Sequence, residues 1–238
     1  MAQVRDYEDI NTNLRYWFDR AFAAFDAPVF YDIGANDGVF TIGFAGRCSR
    51  VIAFEPARQS HTRLEERIAA ARLANVTLLG IALSDERAMM PLFGYSDDTF
   101  NSLFARPEQQ LSHYSIDSTS PEQVRVERLD DVVLANKLPL PNVVKIDIEG
   151  AELPALRGGE QTIRSGRPVI LIEYSVDNTA NAGYERSEIK LLLESWGYTV
   201  GGLRRNTDTS LYSGDALEDR AIWNLLCLPP GLSDLADG

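Results

Sequence analysis

Residues 29–38 constrain the fold more than any other part of the chain. They read VFYDIGANDG, an apolar run that ends in an acid and is followed by a turn with two glycines and the start of a helix. Glycine lets the main chain reverse sharply after a strand and lets a ligand approach the backbone closely. The segment therefore predicts the first strand of an α/β fold, with a ligand-binding turn of the nucleotide type at its carboxyl end.

The composition of this turn favours a ligand without a diphosphate group. A dinucleotide fingerprint would have glycine in place of Asn36, because the pyrophosphate lies on bare backbone beside the helix N-terminus. Asp32, at the end of the strand, would repel a phosphate and attract an ammonium group. S-adenosylmethionine carries an amino acid head, a sulfonium and a ribose but no phosphate, so it fits these residues. The candidate cofactor-binding residues of the turn are Asp32, Gly34, Ala35, Asn36, Asp37 and Gly38.

A second acid follows at the distance expected of a residue that binds ribose hydroxyls. Residues 50–56 read RVIAFEP, and Glu55 comes 17 positions after Gly38 (55 − 38), close to the roughly 20 typical of such an acid. We place Glu55 and the adjacent Pro56 in the cofactor site. Ser84 follows the third predicted strand, residues 76–82, where it could flank an adenine and hydrogen-bond to it.

Alternating strand and helix patterns predict the fold class. Five strand-and-helix units are followed by two strands, residues 198–203 and 222–228, with no helix between them. We expect a single-domain α/β protein with a doubly wound, seven-stranded, mostly parallel sheet and an antiparallel strand at one edge. This is the Rossmann-like arrangement of class I methyltransferases. A chain of 238 residues can bury one such core.

Two segments lie outside this framework. Residues 1–27 contain a helix with one apolar face, at residues 7–25, which we expect to pack on the core or on a partner in a homodimer, with a substrate lid as the alternative. Residues 94–120 form a polar insertion with scattered aromatic residues and no helical period. Connections of this length are commonly lids or binding loops, so we interpret the insertion as an acceptor-side lid. A surface loop without a role is the competing interpretation.

Charge and composition exclude several kinds of partner. The net charge of −12 and the lack of a long basic run argue against nucleic acid and anionic membranes. Cys48 and Cys227 lack metal-site spacing and indicate free thiols in a reducing compartment. The sequence has no uncharged apolar stretch of about 18 residues, and its first residues are unlike a signal peptide. We predict a cytoplasmic protein without a membrane span.

A third motif supplies acids to the same site. Residues 143–150 read VVKIDIEG, so Asp147 and Glu149 follow a buried strand, and Glu173 ends the next strand. In a doubly wound sheet this strand faces the first across the ligand crevice. We therefore expect Asp147 to lie opposite Asp32.

Together these motifs resemble those of the FkbM-type methyltransferases. The similar blocks are residues 32–38, residues 53–56, and residues 129–131 with 144–158 and Glu173, within a match over about residues 29–174. The resemblance implies that residues 28–238 are an S-adenosylmethionine-dependent O-methyltransferase domain that acts on a hydroxyl of a sugar, glycoconjugate or secondary metabolite. It also implies that Asp147 and Glu149 lie at the junction of cofactor and acceptor.

Methyl transfer to a hydroxyl calls for a base, and the candidates are His113, Asp147, Glu149 and Glu173. A positioned base typically adds about 10²- to 10⁴-fold in rate. We favour His113, because a free imidazole titrates at about pH 6.5 and the carboxylates are expected to contact cofactor and acceptor. A divalent metal between two of the carboxylates is an alternative. We predict no metal, because those contacts already explain the acids.

Two other functional classes stay open. An NAD-dependent oxidoreductase could reuse the geometry of Asp32 and Glu55, but it would call for a third glycine and leaves Asp147 without a task. A non-catalytic binding protein with the same fold would be expected to lose motif acids, and all of them are present here.

Overall fold

The computed structural model describes residues 12–204 and 209–237 of the chain. Its helices and strands run in the order α1 (Thr12–Ala23), β1 (Val29–Ile33), α2 (Val39–Ala45), β2 (Arg50–Phe54), α3 (Arg58–Ala70), β3 (Val76–Leu79), β4 (Ala82–Leu83), β5 (Ala88–Leu92), α4 (Glu108–Tyr114), β6 (Glu122–Glu127), α5 (Leu129–Asn136), β7 (Val143–Ile146), α6 (Glu152–Gly158), α7 (Glu160–Gly166), β8 (Val169–Glu173), α8 (Val176–Asn181), α9 (Ser187–Ser195), β9 (Thr199–Arg204) and β10 (Ile222–Leu228). Short 3-10 helices lie at Asp98–Phe100, Gly214–Glu218 and Ser233–Asp237.

Seven strands form the main sheet, in the order β3-β2-β1-β7-β8-β10-β9. The first five are parallel to one another, and β10 runs antiparallel to both β8 and β9. The predicted doubly wound, mostly parallel sheet is therefore confirmed, and its antiparallel strand, β10, lies one strand in from the edge, between β8 and β9. The strand order reverses between β1 and β7, and this reversal opens a crevice outside their carboxyl ends.

The register of β1 and β7 corrects one expectation. Asp32 pairs with Lys145, and Ile33 pairs with Ile146. The prediction that Asp147 lies opposite Asp32 was wrong by two residues, because β1 ends at Ile33 and Asp147 lies beyond the end of β7, beside the turn. A lysine thus lies in the sheet beside the buried acid.

Helix α1 packs its apolar face on one side of the main sheet. Trp17, Phe18, Ala21 and Phe22 are buried there, and the ring of Phe22 stacks on Phe44 of α2 with centroids 4.0 Å apart. The described part of the predicted helix at residues 7–25 is thus a core element, and it ends two residues earlier, at Ala23. Residues 7–11 of that helix lie outside the described part of the chain.

The insertion at residues 94–120 is more ordered than its sequence indicated. It contains a 3-10 helix at Asp98–Phe100 and the seven-residue helix α4, whereas we predicted no helical structure. A helix this short shows no clear period in sequence, and its stability comes from tertiary contacts. A three-stranded sheet in the order β4-β6-β5 lies at the base of the insertion. None of the helices in the described residues has the length and apolar character that crossing a bilayer requires.

Candidate active site

A cavity of about 1630 Å³ opens at the carboxyl ends of the central strands. Its walls come from the turns after β1, β2, β7 and β8 and from the insertion. The predicted site residues that line it are Gly34, Ala35, Asn36, Asp37, Glu55, Pro56, Asp147, Glu149 and Glu173. Asp32, Gly38, Ser84 and His113 are not among the lining residues. Most of the predicted cofactor and acid residues are therefore brought together in one space.

The two glycines of the turn meet different requirements. Both have positive φ angles, 81° at Gly34 and 84° at Gly38, which side chains rarely tolerate. A Cβ on Gly34 would lie 1.9 Å from the carbonyl oxygen of Asp147, so glycine here lets the β1 and β7 turns approach. A Cβ on Gly38 would lie 2.2 Å from Cδ1 of Leu64 in α3. Gly38 thus serves helix packing, whereas Gly34 shapes the cavity floor.

Glu55 fastens the β1 turn to the β2 turn. Its Oε2 accepts the backbone N–H of Asn36 and its Oε1 accepts that of Ala57, each at 2.8 Å. Burial raises the pKa of Glu55 to about 7, although these two bonds act to lower it. The carboxylate also lines the cavity, where its remaining lone pairs can accept hydrogen bonds from a ligand.

Asp32 lies behind the turn instead of at the cavity surface. It is fully buried, its Oδ2 accepts the hydroxyl of Thr41 at 2.6 Å, and its Oδ1 is 3.6 Å from Nζ of Lys145. Lys145 does line the cavity, and its Nζ donates to the carbonyl oxygen of Gly34 at 2.8 Å. We did not predict Lys145 as a site residue. The available signal was a lysine inside an otherwise apolar strand, which demands a buried partner.

Three carboxyl groups meet on the opposite wall. Oxygens of Asp147, Glu149 and Glu173 all lie within 4.8 Å of one another. The amide Nδ2 of Asn178 donates to Glu149 at 2.7 Å and to both oxygens of Glu173 at 3.1 and 3.0 Å. Nη2 of Arg106 lies 2.5 Å from Oε2 of Glu149. The three acids are close enough to bind one cation together, but N–H donors already form hydrogen bonds to the oxygens of Glu149 and Glu173.

This crowding changes the proton affinity of the acids. Burial raises the pKa of Glu149 to about 8, and the neighbouring Asp147 adds to the rise while Arg106 opposes it. Burial likewise raises the pKa of Glu173 well above its usual range, with Glu149 as the next cause. Like charges this close raise one another's pKa, so both carboxyl groups keep their protons to a higher pH than a free glutamic acid does.

Glu152 supports Glu149 from beneath. Its two oxygens accept the backbone N–H groups of Ile148 and Gly150, at 2.9 and 3.0 Å. These bonds hold the turn in which Glu149 adopts a φ of 56°, an uncommon backbone conformation for a residue with a side chain. We did not predict this role of Glu152. The roles of Arg106 and Asn178 were also not predicted, because α8 and the insertion gave no local signal.

Two predicted residues lie away from the cavity. His113 is exposed on α4 and does not line the site, although its neighbour Tyr114 does. Its position gives no support to the preference for His113 as the base, because a base must reach the proton it removes. Ser84 is the second residue that does not line the cavity, and its backbone packs against Gly158 of α6. The residues of this segment that do line the cavity are Ile81, Ala82 and Leu83.

Most of the chain matches the model of a known protein family. Residues 32–200 match the model described as the Methyltransferase FkbM domain. The chain belongs to this family of methyltransferases. The match covers the glycine turn, both acid motifs and the insertion, so most of the residues that line the cavity lie within the family domain.

Several of the curated relatives of this FkbM-family chain carry methyltransferase names. Methyltransferase 1 of Beauveria bassiana is 27% identical over 74% of this chain and 74% of its own length. The 2-O-methyltransferase NoeI of Sinorhizobium fredii is 27% identical over 62% of this chain and 63% of its own length. The hexuronic acid methyltransferase AglP of Haloferax volcanii is 24% identical over 80% of this chain and 72% of its own length.

Solved structures share the fold. The methyltransferase FkbM of Methylobacillus flagellatus superimposes with a TM-score of 0.54 at 19% identity, over 85% of this chain and 44% of that chain. The O-methyltransferase of Bacillus cereus, solved in complex with SAH, gives a TM-score of 0.52 at 15% identity, over 92% of this chain and 82% of that chain. The class I methyltransferase fold that the sequence predicted is thus confirmed.

Proposed function

We propose that this methyltransferase uses S-adenosylmethionine to methylate a hydroxyl group of a sugar, glycoconjugate or secondary metabolite. One observation carries the proposal. The glycine turn with Glu55 and the acid cluster of Asp147, Glu149 and Glu173 line the same cavity. A cofactor held by the first group would therefore lie beside an acceptor held by the second.

The residues of the turn fit S-adenosylmethionine. Gly34 leaves room where a Cβ would collide with the β7 turn, and Glu55 offers carboxylate lone pairs suited to ribose hydroxyls. Asn36 occupies the position where a dinucleotide site would have a further glycine, which weighs against NAD as the ligand and against an oxidoreductase.

The chemistry asked of the protein is mainly orientation and proton removal. S-adenosylmethionine supplies a methyl group on a positively charged sulfur. Holding an acceptor oxygen in line with that methyl group can contribute roughly 7 kcal/mol of the barrier. We assign the base to the Glu149 and Glu173 pair, because these carboxyls line the cavity and burial raises their pKa values toward that of an effective base.

The acceptor side of the cavity fits a polyhydroxylated ligand. It presents hydrogen-bonding groups from the insertion and the strand ends, including Asn101, Glu173 and Asn224. Carboxylates and amides arranged in this way accept hydrogen bonds from several hydroxyls at once. The name of NoeI, a 2-O-methyltransferase at 27% identity, supports O-methylation, and the name of AglP, a hexuronic acid methyltransferase at 24% identity, supports a sugar-related acceptor.

Mass spectrometry of reaction mixtures tests the proposal. The protein is incubated with S-adenosylmethionine and a panel of sugars, glycosides and phenolic metabolites, and products are searched for the mass of one added methyl group together with S-adenosylhomocysteine. We expect O-methylated product with at least one acceptor. Calorimetry of the purified protein with NAD and with S-adenosylhomocysteine tests the alternatives. Binding of NAD but not of S-adenosylhomocysteine would favour an oxidoreductase, and binding of neither ligand would favour a non-catalytic protein.

A further inference from the structure

We propose that Lys145 and Asp147 form a two-point site for the α-amino acid head of the cofactor, with Lys145 paired to its carboxylate and Asp147 to its ammonium group. The inference rests on the proposed function, because only a cofactor of the S-adenosylmethionine type presents such a head. It starts from a lysine that is buried in the sheet and yet lines the cavity.

Lys145 has donor capacity beyond its contacts. An ammonium group has three N–H donors. The Nζ atom donates to the carbonyl oxygen of Gly34 at 2.8 Å, while the nearest oxygens of Asp32 and Asp147 are each 3.6 Å away. A distance of 3.6 Å is an ion-pair distance but too long for a good hydrogen bond. A ligand carboxylate in the cavity could therefore accept a hydrogen bond from Lys145.

The two acids beside Lys145 have different access to a ligand. The side chain of Asp32 is 0% exposed, whereas that of Asp147 is 44% exposed. Asp32 is fixed by the hydroxyl of Thr41 and lies behind the turn, so it keeps Lys145 charged and in place. Asp147 faces the cavity and is available to an ammonium group.

The local charge balance suits a zwitterion. Lys145 carries one positive charge between two carboxylates, and an amino acid head adds one charge of each sign. Such a head leaves the net charge of this group unchanged and places each of its own charges beside an opposite one, whereas a lone anion would add to the excess of negative charge. The ring of Phe40 lies under Nζ, with its centroid 5.4 Å away, and restricts the ammonium group of Lys145 to this position.

The other cations that line the cavity also have acidic partners. Among the described lining residues, Arg63 pairs with Asp98, Arg67 lies 3.5 Å from Asp37, and Arg106 pairs with Glu149. Lys145 lies on β7 and pairs with Asp32 of β1, near the carboxyl ends of these two strands. This location is where the strand order reverses and where ligands of doubly wound folds bind.

The test compares two ligands by calorimetry, namely S-adenosylhomocysteine and its decarboxylated analogue, which lacks only the carboxylate. We expect wild-type protein to bind S-adenosylhomocysteine about 10- to 100-fold more tightly, the effect of one charged hydrogen bond. In Lys145→Met this preference should disappear, mainly through weaker binding of S-adenosylhomocysteine. Arg63→Met, which removes another cavity cation, should keep the preference.

Several outcomes separate the inference from the proposed function. Equal affinity of wild-type protein for the two ligands overturns the inference while leaving the proposed function standing, and failure to bind either ligand overturns the proposed function itself. A preference that persists in Lys145→Met also overturns the inference. If that variant does not fold, Asp32→Asn/Lys145→Met removes both buried charges and allows the same comparison.

Discussion

At the scale of single residues, the cofactor assignment predicts that Glu55 accepts two hydrogen bonds from the cofactor. Two hydrogen bonds to its charged oxygens, at roughly 1.5 kcal/mol each, correspond to a change in affinity on the order of 10²-fold. We expect Glu55→Ala to weaken binding of S-adenosylhomocysteine by that factor in calorimetry. Glu65→Ala removes an exposed acid of α3 that does not line the cavity and is the matched control. Unchanged affinity in a folded Glu55→Ala variant would remove Glu55 from the site.

Two single-residue variants test which group acts as the base. We expect His113→Ala to retain near-normal turnover at saturating cofactor, because His113 is exposed and does not line the cavity. Glu149→Gln should bind S-adenosylhomocysteine normally and lose 10²-fold or more in rate, on the order expected for removal of a general base. Since burial raises the pKa of Glu149 to about 8, wild-type turnover should rise with pH up to that value. The reverse ranking of the two variants would return the role to His113.

At the scale of elements, the insertion and α8 are joined by polar contacts. Nη1 of Arg106 donates to Asn178 at 2.9 Å, and the side-chain amides of Gln110 and Asn181 bond to each other at 3.1 and 2.8 Å. The arginine is buried although it belongs to a polar insertion. These contacts place the insertion over the acid cluster, as a lid would lie.

The lid hypothesis predicts a change in protease sensitivity. Arg106→Ala should release the insertion, so chymotrypsin should cut faster after the aromatic residues between 94 and 120. In wild-type protein, S-adenosylhomocysteine together with an acceptor should slow the same cleavage. Arg125→Ala, which alters an exposed arginine of β6, should cleave like the wild type. Identical cleavage with and without ligands would argue against a lid.

At the scale of the whole molecule, buried acids make stability depend on pH. Burial raises the pKa values of Glu55 and Glu152 from 4.5 to about 7. Between these values the folded state retains protons that the unfolded chain has released, so stability is greatest at the acid end and is lost as the pH rises to about 7. The free energy of unfolding can fall by up to about 1.4 kcal/mol per pH unit for each such group.

Thermal unfolding between pH 5.5 and 8 checks this dependence. High salt is included because the net charge of −12 adds surface repulsion that salt screens, whereas buried groups are screened less. We expect the melting temperature to fall from pH 5.5 to about pH 7. The slope should be shallower in Glu55→Gln and unchanged in Glu65→Gln, whose side chain is exposed. A melting temperature that rises with pH would contradict the assignment.

The fold class and most of the cofactor-binding wall could be predicted from local sequence patterns. Apolar strands that alternate with helices imply a doubly wound sheet, and the carboxyl ends of its parallel strands must meet at one edge. Gly34, Glu55 and Asp147 could be placed because each follows such a strand directly. Local pattern was sufficient here, since each signal lies within a few residues of the strand that positions it.

The side chains that complete the site were visible only in the folded molecule. The register placed Lys145 beside Asp32, and long-range hydrogen bonds joined Arg106 to Glu149 and Asn178, 43 and 72 positions away. It also left His113 on an exposed helix face. Strand register and the packing of short helices depend on contacts between distant segments, and these contacts have no counterpart in the periodicity of either segment.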